Sequence, residues 1–301
     1  EALFYNEDAA AAAPKAKRGL AGINAVIYSF LIEDIRQVAA GELASTFFEI
    51  PISDLGLEKT SWTAAELGVG AIVVDNAISD EAMEAAVATL NYDLGRIIST
   101  LLSDCPYELY WYDKTAGASV SGPGLSASYS GEWVISLTGS LVFRFSVAEG
   151  YSAGAYTVDA AAVSTAQMAA ANARAIVDQY ASYSDHEKLL AYKNEICDLV
   201  SYNKYAANES NNVPYGDPWQ LIWVFDGDPD TNVVCEGYSK AMKYLCKESS
   251  FNTDISCIIV TGTINNSNHM WNIVTIDGGN YLVDVTNSED GYAGSGGRLF
   301  L

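Results

Sequence analysis

The sequence predicts an α+β fold, in which amphipathic helices and short runs of β-forming residues follow one another along a chain of 301 residues. Residues 22–40 place apolar side chains at helical spacing and stop before Gly41, as in a helix that ends at a glycine. Residues 45–52 form a short run of β-formers with a proline near its end, which indicates a strand. Half of all residues are hydrophobic, so the chain can bury a large core.

Further segments in the N-terminal part fit the same class. Residues 80–103 show a second helical pattern, residues 107–114 are strand-like, and residues 121–131 are rich in turn-forming residues. Residues 134–148 read as a strand with one buried face, because apolar side chains alternate with other residues. The alternating apolar residues are Leu141, Phe143, Phe145 and Val147. We interpret this part as an α+β module with no visible chemistry of its own.

The composition changes near residues 148–158, where an alanine-rich helical segment follows. Another helical segment begins at Ser184, and Glu187 three residues later completes the signature of a capping box. We therefore predict two domains, an N-terminal module of residues 1–155 with an unknown role and a second domain of residues 156–301. The chain ends inside an apparent strand, so the completeness of the second domain at its C-terminus stays open.

The charge of the chain excludes several classes of partner. Sixteen Lys and Arg residues against 38 Asp and Glu residues give a net charge of −22. Nucleic-acid binding needs clustered cations to neutralise phosphates, and docking to an anionic membrane has the same need. Such acidity favours solubility of a secreted or cell-surface protein. We expect an extracytoplasmic location, with a signal peptide or anchor outside the given chain.

No run of 18 or more apolar residues occurs, so we expect no transmembrane helix. The five cysteines are too irregular for a disulfide framework, although a bond between Cys246 and Cys257 stays open. The chain has two histidines, His186 and His269, and neither a CxxC pair nor an HExxH motif. We therefore predict no metal site and no cofactor. His186 lies in the first turn of the segment that begins at Ser184, where we expect an exposed, neutral role.

Cys235 opens an amphipathic helix in the stretch "NVVCEGYSKAMKYLC". Residues at helical spacing after it form one apolar stripe, namely Tyr238, Met242 and Leu245, and we expect three lysines off that stripe to face water, namely Lys240, Lys243 and Lys247. The unsatisfied N–H groups and the dipole at a helix start favour an anion there, which for Cys235 means the thiolate. Gly237 would let another chain segment approach closely.

His269 is the one reasonable base for such a thiol, and it opens the strand-like stretch "HMWNIVTI" on the same face as Trp271. Asp284 follows the turn "DGGN" in "YLVDVTN", where a buried carboxylate needs a partner. A hairpin symmetric about the two glycines of that turn places Asp284 opposite Ile273, on the His269 face. It also leaves the two side chains four residues apart, about 13 Å along the strand. An asymmetric turn, a bulge or strong twist must close that gap.

Each of these residues alone has a structural explanation: a cysteine before an apolar helix, a histidine in a core strand, and an aspartate in a turn. The order is more informative, because His269 follows Cys235 by 34 residues and Asp284 follows His269 by a further 15. A helix start, a strand and the next strand then carry a nucleophile, a base and a residue that orients the base.

The stretches "CEGYSKAMKYL", "HMWNIV" and "YLVDVTN" resemble the three motifs of the transglutaminase-like superfamily. The resemblance covers residues 185–301 and implies a papain-like core, in which a nucleophile helix packs on an antiparallel sheet. It also implies Cys235 as the nucleophile, His269 as the base and Asp284 as the residue that orients the base. "VTG" ahead of the histidine strand fits the same pattern. Two residues depart from it, since Val285 and Asn287 stand where Pro and Trp commonly follow the aspartate.

The oxyanion donors are less defined. The backbone N–H of Cys235 is one natural candidate. By analogy with papain-like enzymes we take Gln220 as the polar side-chain candidate, although it is equally explained as a solvated residue. Trp219, Gly237 and Trp271 complete the set of pocket candidates.

These features predict a cysteine peptidase or acyltransferase that forms a thioester acyl-enzyme from an amide. The resemblance to secreted bacterial proteins favours hydrolysis of a protein or peptide substrate, with cell-wall peptides among the candidates. Two alternatives stay open: a true crosslinking acyltransferase, and an inactive binding or scaffold module that keeps the fold.

Overall fold

The computed structural model describes residues 19–264 and 267–288, and in these ranges helices and sheets are mixed, so the predicted α+β class is confirmed. The helices are α1 (Ile23–Ala40), α2 (Ala64–Leu67), α3 (Asp80–Ala88), α4 (Leu94–Asp104), α5 (Ala160–Gln179), α6 (Asp185–Leu199) and α7 (Cys235–Glu248). The strands are β1 (Phe47–Pro51), β2 (Ser61–Thr63), β3 (Val73–Val74), β4 (Ala77–Ile78), β5 (Ala118–Ser121), β6 (Gly124–Tyr129), β7 (Trp133–Thr138), β8 (Ser140–Phe145), β9 (Ser152–Gly154), β10 (Thr157–Val158), β11 (Ser201–Tyr202), β12 (Asn232–Val233), β13 (Ile255–Ile264), β14 (Ser267–Ile276) and β15 (Gly279–Val283). No helix in the described ranges is long and apolar enough to cross a bilayer.

Helix α1 and strand β1 lie where the sequence predicts them. Gly41 ends α1 with a φ of 79°, and its N–H donates to the last carbonyls of the helix. This left-handed cap is natural for glycine and strained for other residues. The apolar stripe of α1 is fully buried and packs on α4, α5 and β1.

The single helical pattern expected over residues 80–103 is wrong in its continuity, because the chain forms α3 and α4 with a break between them. Asn91 adopts a left-handed φ of 41°, which a helix interior does not tolerate. Asp93 then accepts a hydrogen bond from the N–H of Arg96 and caps the second helix.

Residues 107–114 do not form the expected strand. They make consecutive turns, in which the N–H of Tyr110 donates to the carbonyl of Tyr107 and the N–H of Tyr112 donates to that of Leu109. Trp111 and its neighbours are buried regardless of parity, so the run of aromatics reflects a core segment rather than a pleated surface. Residues 121–131, expected as turns, contain strand β6.

The segment 134–148 is not one strand, since the chain changes sheets at Gly139, whose φ is 68°. Strand β7 lies at the centre of the sheet β2-β7-β6, and β8 lies at the centre of the sheet β1-β8-β5. The predicted buried face is confirmed for β8, where Leu141, Phe143 and Phe145 are fully buried.

The predicted domain boundary near residue 155 falls in the β9–β10 hairpin. Tyr156 and Val158 bond to residues near the start of β1, because the carbonyl of Tyr156 accepts from the N–H of Thr46 and the N–H of Val158 donates to Ala44. The buried apolar residues form one cluster that runs from Leu20 to Val285. The division into two domains stays a prediction, and the contacts show that the two parts share a core.

Helices α5 and α6 follow the sequence prediction, and the capping box of α6 is present, with Ser184 and Glu187 bonded to each other's backbone N–H. Helix α7 is surrounded by α5, α6, β13 and β14. The expectation that its lysines face water is therefore wrong for two of them, since Lys240 and Lys243 are buried. Lys247, in the last turn, is exposed as predicted.

The sheet next to α7 has the strand order β13-β14-β15, and both pairs are antiparallel. Asn272 of β14 connects this sheet to the helix, because its Nδ2 donates to the carbonyl of Ser239 at 3.0 Å and to that of Ile258 at 3.3 Å. Asn272 is fully buried, so this amide fixes β14 against α7.

Candidate active site

Cys235 is the first residue of α7 and follows Val234, which provides no side-chain cap. The N–H of Val234 donates to the carbonyl of Pro218 at 2.8 Å, which ties the entry of the helix to the preceding loop. The first N–H groups of a helix have no intrahelical acceptor, so this end presents donors to whatever lies beside Cys235.

Gly237 serves packing rather than the cleft. A Cβ at this position would lie 2.8 Å from the Cβ of Val233, closer than side chains approach each other. The glycine therefore lets the first turn of α7 pack directly on β12, as the sequence suggested when it indicated a close approach.

The β14–β15 turn corrects the predicted register. Asp277 and Gly278 are the two central residues of the turn, with φ values of 50° and 80°, and Ile276 pairs with Gly279. Ile273 consequently faces Leu282, not Asp284. Continuing this register places Asp284 across from Trp271, so the expected four-residue offset from His269 shrinks to two.

This turn removes the gap that the sequence prediction left open. Nε2 of His269 lies 2.9 Å from Oδ2 of Asp284. Asp284 comes directly after β15 and is almost fully buried. The turn "DG" with two positive φ values is the preferred two-residue hairpin, and it was the signal that could have fixed the register.

Asn287 completes the surroundings of the carboxylate. Its Nδ2 donates to Oδ2 of Asp284 at 2.7 Å, and its backbone N–H donates to Oδ1 at 3.1 Å. Burial alone would raise the pKa of Asp284, but the bonds from His269 and Asn287 and the charge of His269 lower it. Asn287, one of the two departures from the family pattern, thus contributes to the ionised state of Asp284.

His269 also interacts with Cys235, and both side chains line the same cleft. Burial alone would lower the pKa of His269, but hydrogen bonds with Asp284 and Cys235 and the charges of both groups raise it to about 9. The imidazole therefore carries a proton at neutral pH, the state that stabilises a neighbouring thiolate.

Trp271 packs on one face of the imidazole, since its ring stacks on that of His269 with centroids 5.8 Å apart and planes 19° from parallel. A Cβ at Gly262 on β13 would lie 2.7 Å from Cη2 of Trp271. The glycine of the "VTG" stretch is thus required for the indole to lie across the sheet edge.

Cys235 and His269 line a cleft of about 1160 Å³, together with Trp219 and Trp271. Small-molecule sites are usually ~300–1,000 Å³, so this cleft has room for a segment of a chain molecule. Gln220 is not among the residues that line it. Gln220 is fully buried and its Oε1 accepts from Nζ of Lys240 at 2.9 Å, so it is neither solvated nor pointing at the nucleophile.

The sequence interpretation missed a charged cluster directly beside Cys235. Glu236 is buried, and its Oε1 accepts from Tyr215 at 2.7 Å and from Lys240 at 2.9 Å. Its Oε2 accepts from Lys114, which is 122 residues away in the sequence and lines the cleft. Glu236 had looked like an ordinary acidic residue in a first turn, and nothing in the local sequence indicated Lys114.

The other cysteines lie away from the cleft, and no disulfide joins any of the five, all of which lie within the described ranges. Cys246 and Cys257 are both buried. His186 is exposed at the start of α6, as predicted.

No protein-family model matches the chain, and no curated protein matches it. Among solved structures, the chain is similar to one described as "Crystal structure of a TGase", with 15% sequence identity and a TM-score of 0.35. The alignment covers 59% of this chain and 47% of that chain, so the match spans about half the length of the TGase chain. A likeness of this size carries no conclusion about activity.

Proposed function

We propose that this protein is a transglutaminase-like cysteine enzyme that acts on amide bonds through a thioester. The observation that carries the proposal is the position of His269, which contacts Cys235 on one side and Asp284 on the other at the edge of a large cleft. A nucleophile, a base and an orienting carboxylate in this order are what acyl transfer by a cysteine requires.

In the proposed reaction, Sγ of Cys235 attacks the carbonyl carbon of the amide while His269 holds the proton of the thiol. The C–N bond breaks, the imidazolium gives that proton to the leaving amine, and a thioester remains. Water then attacks the thioester, His269 takes a proton from it, and the acid leaves as the thiol is restored. An amine in place of water would give transfer instead of hydrolysis.

The arrangement around α7 supports a papain-like core. The helix that begins with Cys235 packs on β13 and β14, and β14 carries His269. Asn272 fixes the two elements against each other, which limits the movement of the thiol relative to the imidazole. Such fixed positioning is a large part of the rate enhancement in acyl transfer.

For the oxyanion, the backbone N–H of Cys235 remains the first candidate donor, since it lies at the open end of the helix. Trp219 stays a candidate for the second donor because it lines the cleft beside Cys235. Gln220 drops out of this role because its amide is directed into the buried cluster instead.

The size of the cleft favours a protein or peptide substrate over a small molecule. We propose hydrolysis of such a substrate, a cell-wall peptide included, by an extracytoplasmic protein. Crosslinking by amine transfer and an inactive binding role are the outcomes from which the experiment must separate it.

The experiment compares the two cysteines of α7. The wild type, Cys235→Ala and Cys246→Ala are incubated with a peptide library, with and without a primary amine such as methylamine, and products and protein adducts are followed by mass spectrometry. We expect turnover and a thioester adduct in the wild type and in Cys246→Ala, and neither in Cys235→Ala. Turnover retained in Cys235→Ala would exclude the proposal.

Iodoacetamide separates the enzyme from the binding module without a known substrate. A single fast-reacting thiol that Cys235→Ala removes supports the enzyme. Uniformly slow labelling of all five cysteines would favour a binding module, and products that carry methylamine would favour the transferase.

A further inference from the structure

The charged cluster beside Cys235 contains two lysines and one carboxylate. One carboxylate, that of Glu236, lies between the ammonium groups of Lys240 and Lys114. Burial alone would raise the pKa of Glu236, but the two lysines lower it to about 2, so the carboxylate is ionised. Two lysine side chains therefore share one carboxylate next to the nucleophile, and burial lowers the pKa of the inner one, Lys240.

The two lysines differ in their exposure to the cleft. Lys240 is buried, and its Nζ is shared between Glu236, Gln220 at 2.9 Å and the hydroxyl of Tyr215 at 3.3 Å. Lys114 keeps 33% of its side chain exposed and lines the cleft. An ammonium has three N–H donors, and the single bond to Glu236 leaves donors that can point into the cleft.

Lys114 is also held in place before any substrate arrives. It belongs to a turn in which Oδ1 of Asp113 accepts from the backbone N–H of Thr115 at 2.8 Å and of Ala116 at 3.1 Å. Nζ of Lys114 lies 5.1 Å from the centre of the Tyr215 ring. A cation fixed by its backbone and its neighbours loses little freedom on binding an anion.

The rest of the cleft makes this cation distinctive. Among the described residues that line the cleft, Lys114 is the one lysine or arginine, in a chain with a net charge of −22. The imidazole of His269 is the other cationic group in the cleft, next to Cys235. Two carboxylates line the cleft as well: Glu236, which is already bonded to Lys114, and Glu209, which accepts from Nδ2 of Asn268 at 3.2 Å. An anionic group of a ligand is therefore attracted to Lys114 and repelled from Glu209, which gives the cleft a preferred orientation for a charged peptide.

We propose that Lys114 is a substrate-binding residue that takes a carboxylate close to the amide on which Cys235 acts. The preferred substrate is then an acidic peptide, with either an Asp or Glu side chain or a C-terminal carboxylate beside the reacting group. This inference rests on the proposed function, because it takes the bound peptide to be a substrate. The carboxylate site itself can be tested by binding alone. It also gives residues 1–155 a role at the site, since they supply Lys114.

The binding test uses Cys235→Ala, which cannot turn peptides over. Four probes are titrated by calorimetry: acetyl-Ala-Glu-Ala-amide against acetyl-Ala-Gln-Ala-amide, and acetyl-Ala-Ala-Ala with a free carboxylate against its amide. We expect the carboxylate member of one pair to bind about fivefold more tightly, the size of one partly exposed charge pair, and this preference to shrink in high salt. The pair that shows the preference identifies which carboxylate is recognised.

Lys114→Met in the same background should abolish the preference while the neutral probes bind as before. The variant should fold, because Glu236 keeps Lys240 and Tyr215 as partners. Lys114→Arg should keep the preference. The matched control is Lys247→Met, since Lys247 is also about one third exposed and also pairs with a glutamate, at the far end of α7.

Several outcomes overturn the site. Equal binding of both members of both pairs, undetectable binding at millimolar concentration included, excludes it. An equal loss for charged and neutral probes in Lys114→Met would assign Lys114 a structural role instead. A carboxylate preference without turnover in the wild type would leave the site standing and remove the proposed enzymatic function.

Discussion

The first and last turns of helix α7 carry the same kinds of residue and differ in what surrounds them. Each has a cysteine, and each has an ion pair to the N-terminal part: Lys114 with Glu236 at the start and Glu108 with Lys247 at the end. The acidic residue at the start and the basic residue at the end both suit the helix dipole.

Their environments separate them. At the start, Glu236 is buried among three partners and Cys235 lies beside His269 at a cleft. At the end, Lys247 keeps 34% of its side chain exposed and Cys246 is packed in the core. The same residue types therefore line the candidate site at the start of α7 and form a surface ion pair at its end. The difference lies in tertiary contacts rather than in residue type.

The largest expected difference between the two ends of α7 is in the free energy of unfolding that is lost when an ion pair is removed. Glu236→Gln leaves two lysines, one of them buried, without their shared carboxylate, and breaking a buried ion pair costs about 3–5 kcal/mol. Glu108→Gln at the other end should cost about 1 kcal/mol or less, since its partner is exposed. Urea unfolding followed by tryptophan fluorescence measures both. Equal losses would mean that the two ends are energetically alike.

The next effect concerns pH. The pKa of His269 is raised to about 9 by Asp284 and Cys235, against the burial that would lower it. Its contribution to stability is therefore fully present below its ordinary pKa of about 6.5 and is lost as the pH rises through 9. Any turnover that needs the imidazolium should fall over the same alkaline range. NMR titration of the imidazole signal measures the pKa directly.

The cysteines give this titration its control. Cys235→Ala should lower the pKa of His269, because one of the groups that raise it is removed, whereas Cys246→Ala should leave it unchanged. The chain has two histidines, so His186→Asn assigns the signals. An unchanged pKa in Cys235→Ala would mean that the thiol and the imidazole do not interact in solution.

A smaller effect on the free energy of unfolding is expected at Asn287, which donates to Asp284, the partner of His269. Asn287→Ala removes a 2.7 Å donor from a buried carboxylate and should cost about 1–2 kcal/mol. Asn280→Ala, on the same hairpin, removes an exposed bond to Thr275 and should cost a few tenths of a kcal/mol. Thermal unfolding of both variants at one pH makes the comparison, and similar shifts would show that Asp284 does not depend on Asn287.

The smallest effect is expected for Lys247→Met. Its exposed pair with Glu108 should contribute about 0.2–1 kcal/mol at low salt and less at high salt. Denaturant titrations at two ionic strengths test this. A loss as large as that of Glu236→Gln would remove the distinction between the two ends.

Local patterns in the sequence predicted what depends on local physics. The glycine end of α1, the capping box of α6 and the shared face of His269 and Trp271 all follow from short-range periodicity and hydrogen bonding. The symmetric hairpin register is wrong because "DGGN" is compatible with two turns, of which the chain forms the one centred on "DG". It is the turn at Asp277 and Gly278 that brings Asp284 to His269.

Long-range placement was not predictable in the same way. Lys240 and Lys243 lie off the apolar stripe of α7, and the expectation that they face water assumed one solvated side. The helix is covered on that side as well, and Lys243 donates to the carbonyl of Cys257 while Lys240 meets Glu236. Lys114 could not be found at all, because no local signal connects a turn in the first half of the chain with a helix start in the second.

The two hydrogen bonds of Asn272, which clamp β14 against α7, limit how this strand can change in evolution. The first half of β14, residues 267–271, lines the cleft, and Asn272 directly after Trp271 faces helix α7. Inserting or deleting one residue in this strand would exchange the faces and remove the imidazole and the clamp together. Substitutions at the half-buried positions are less costly, so related sequences should vary in composition along β14 but keep its length.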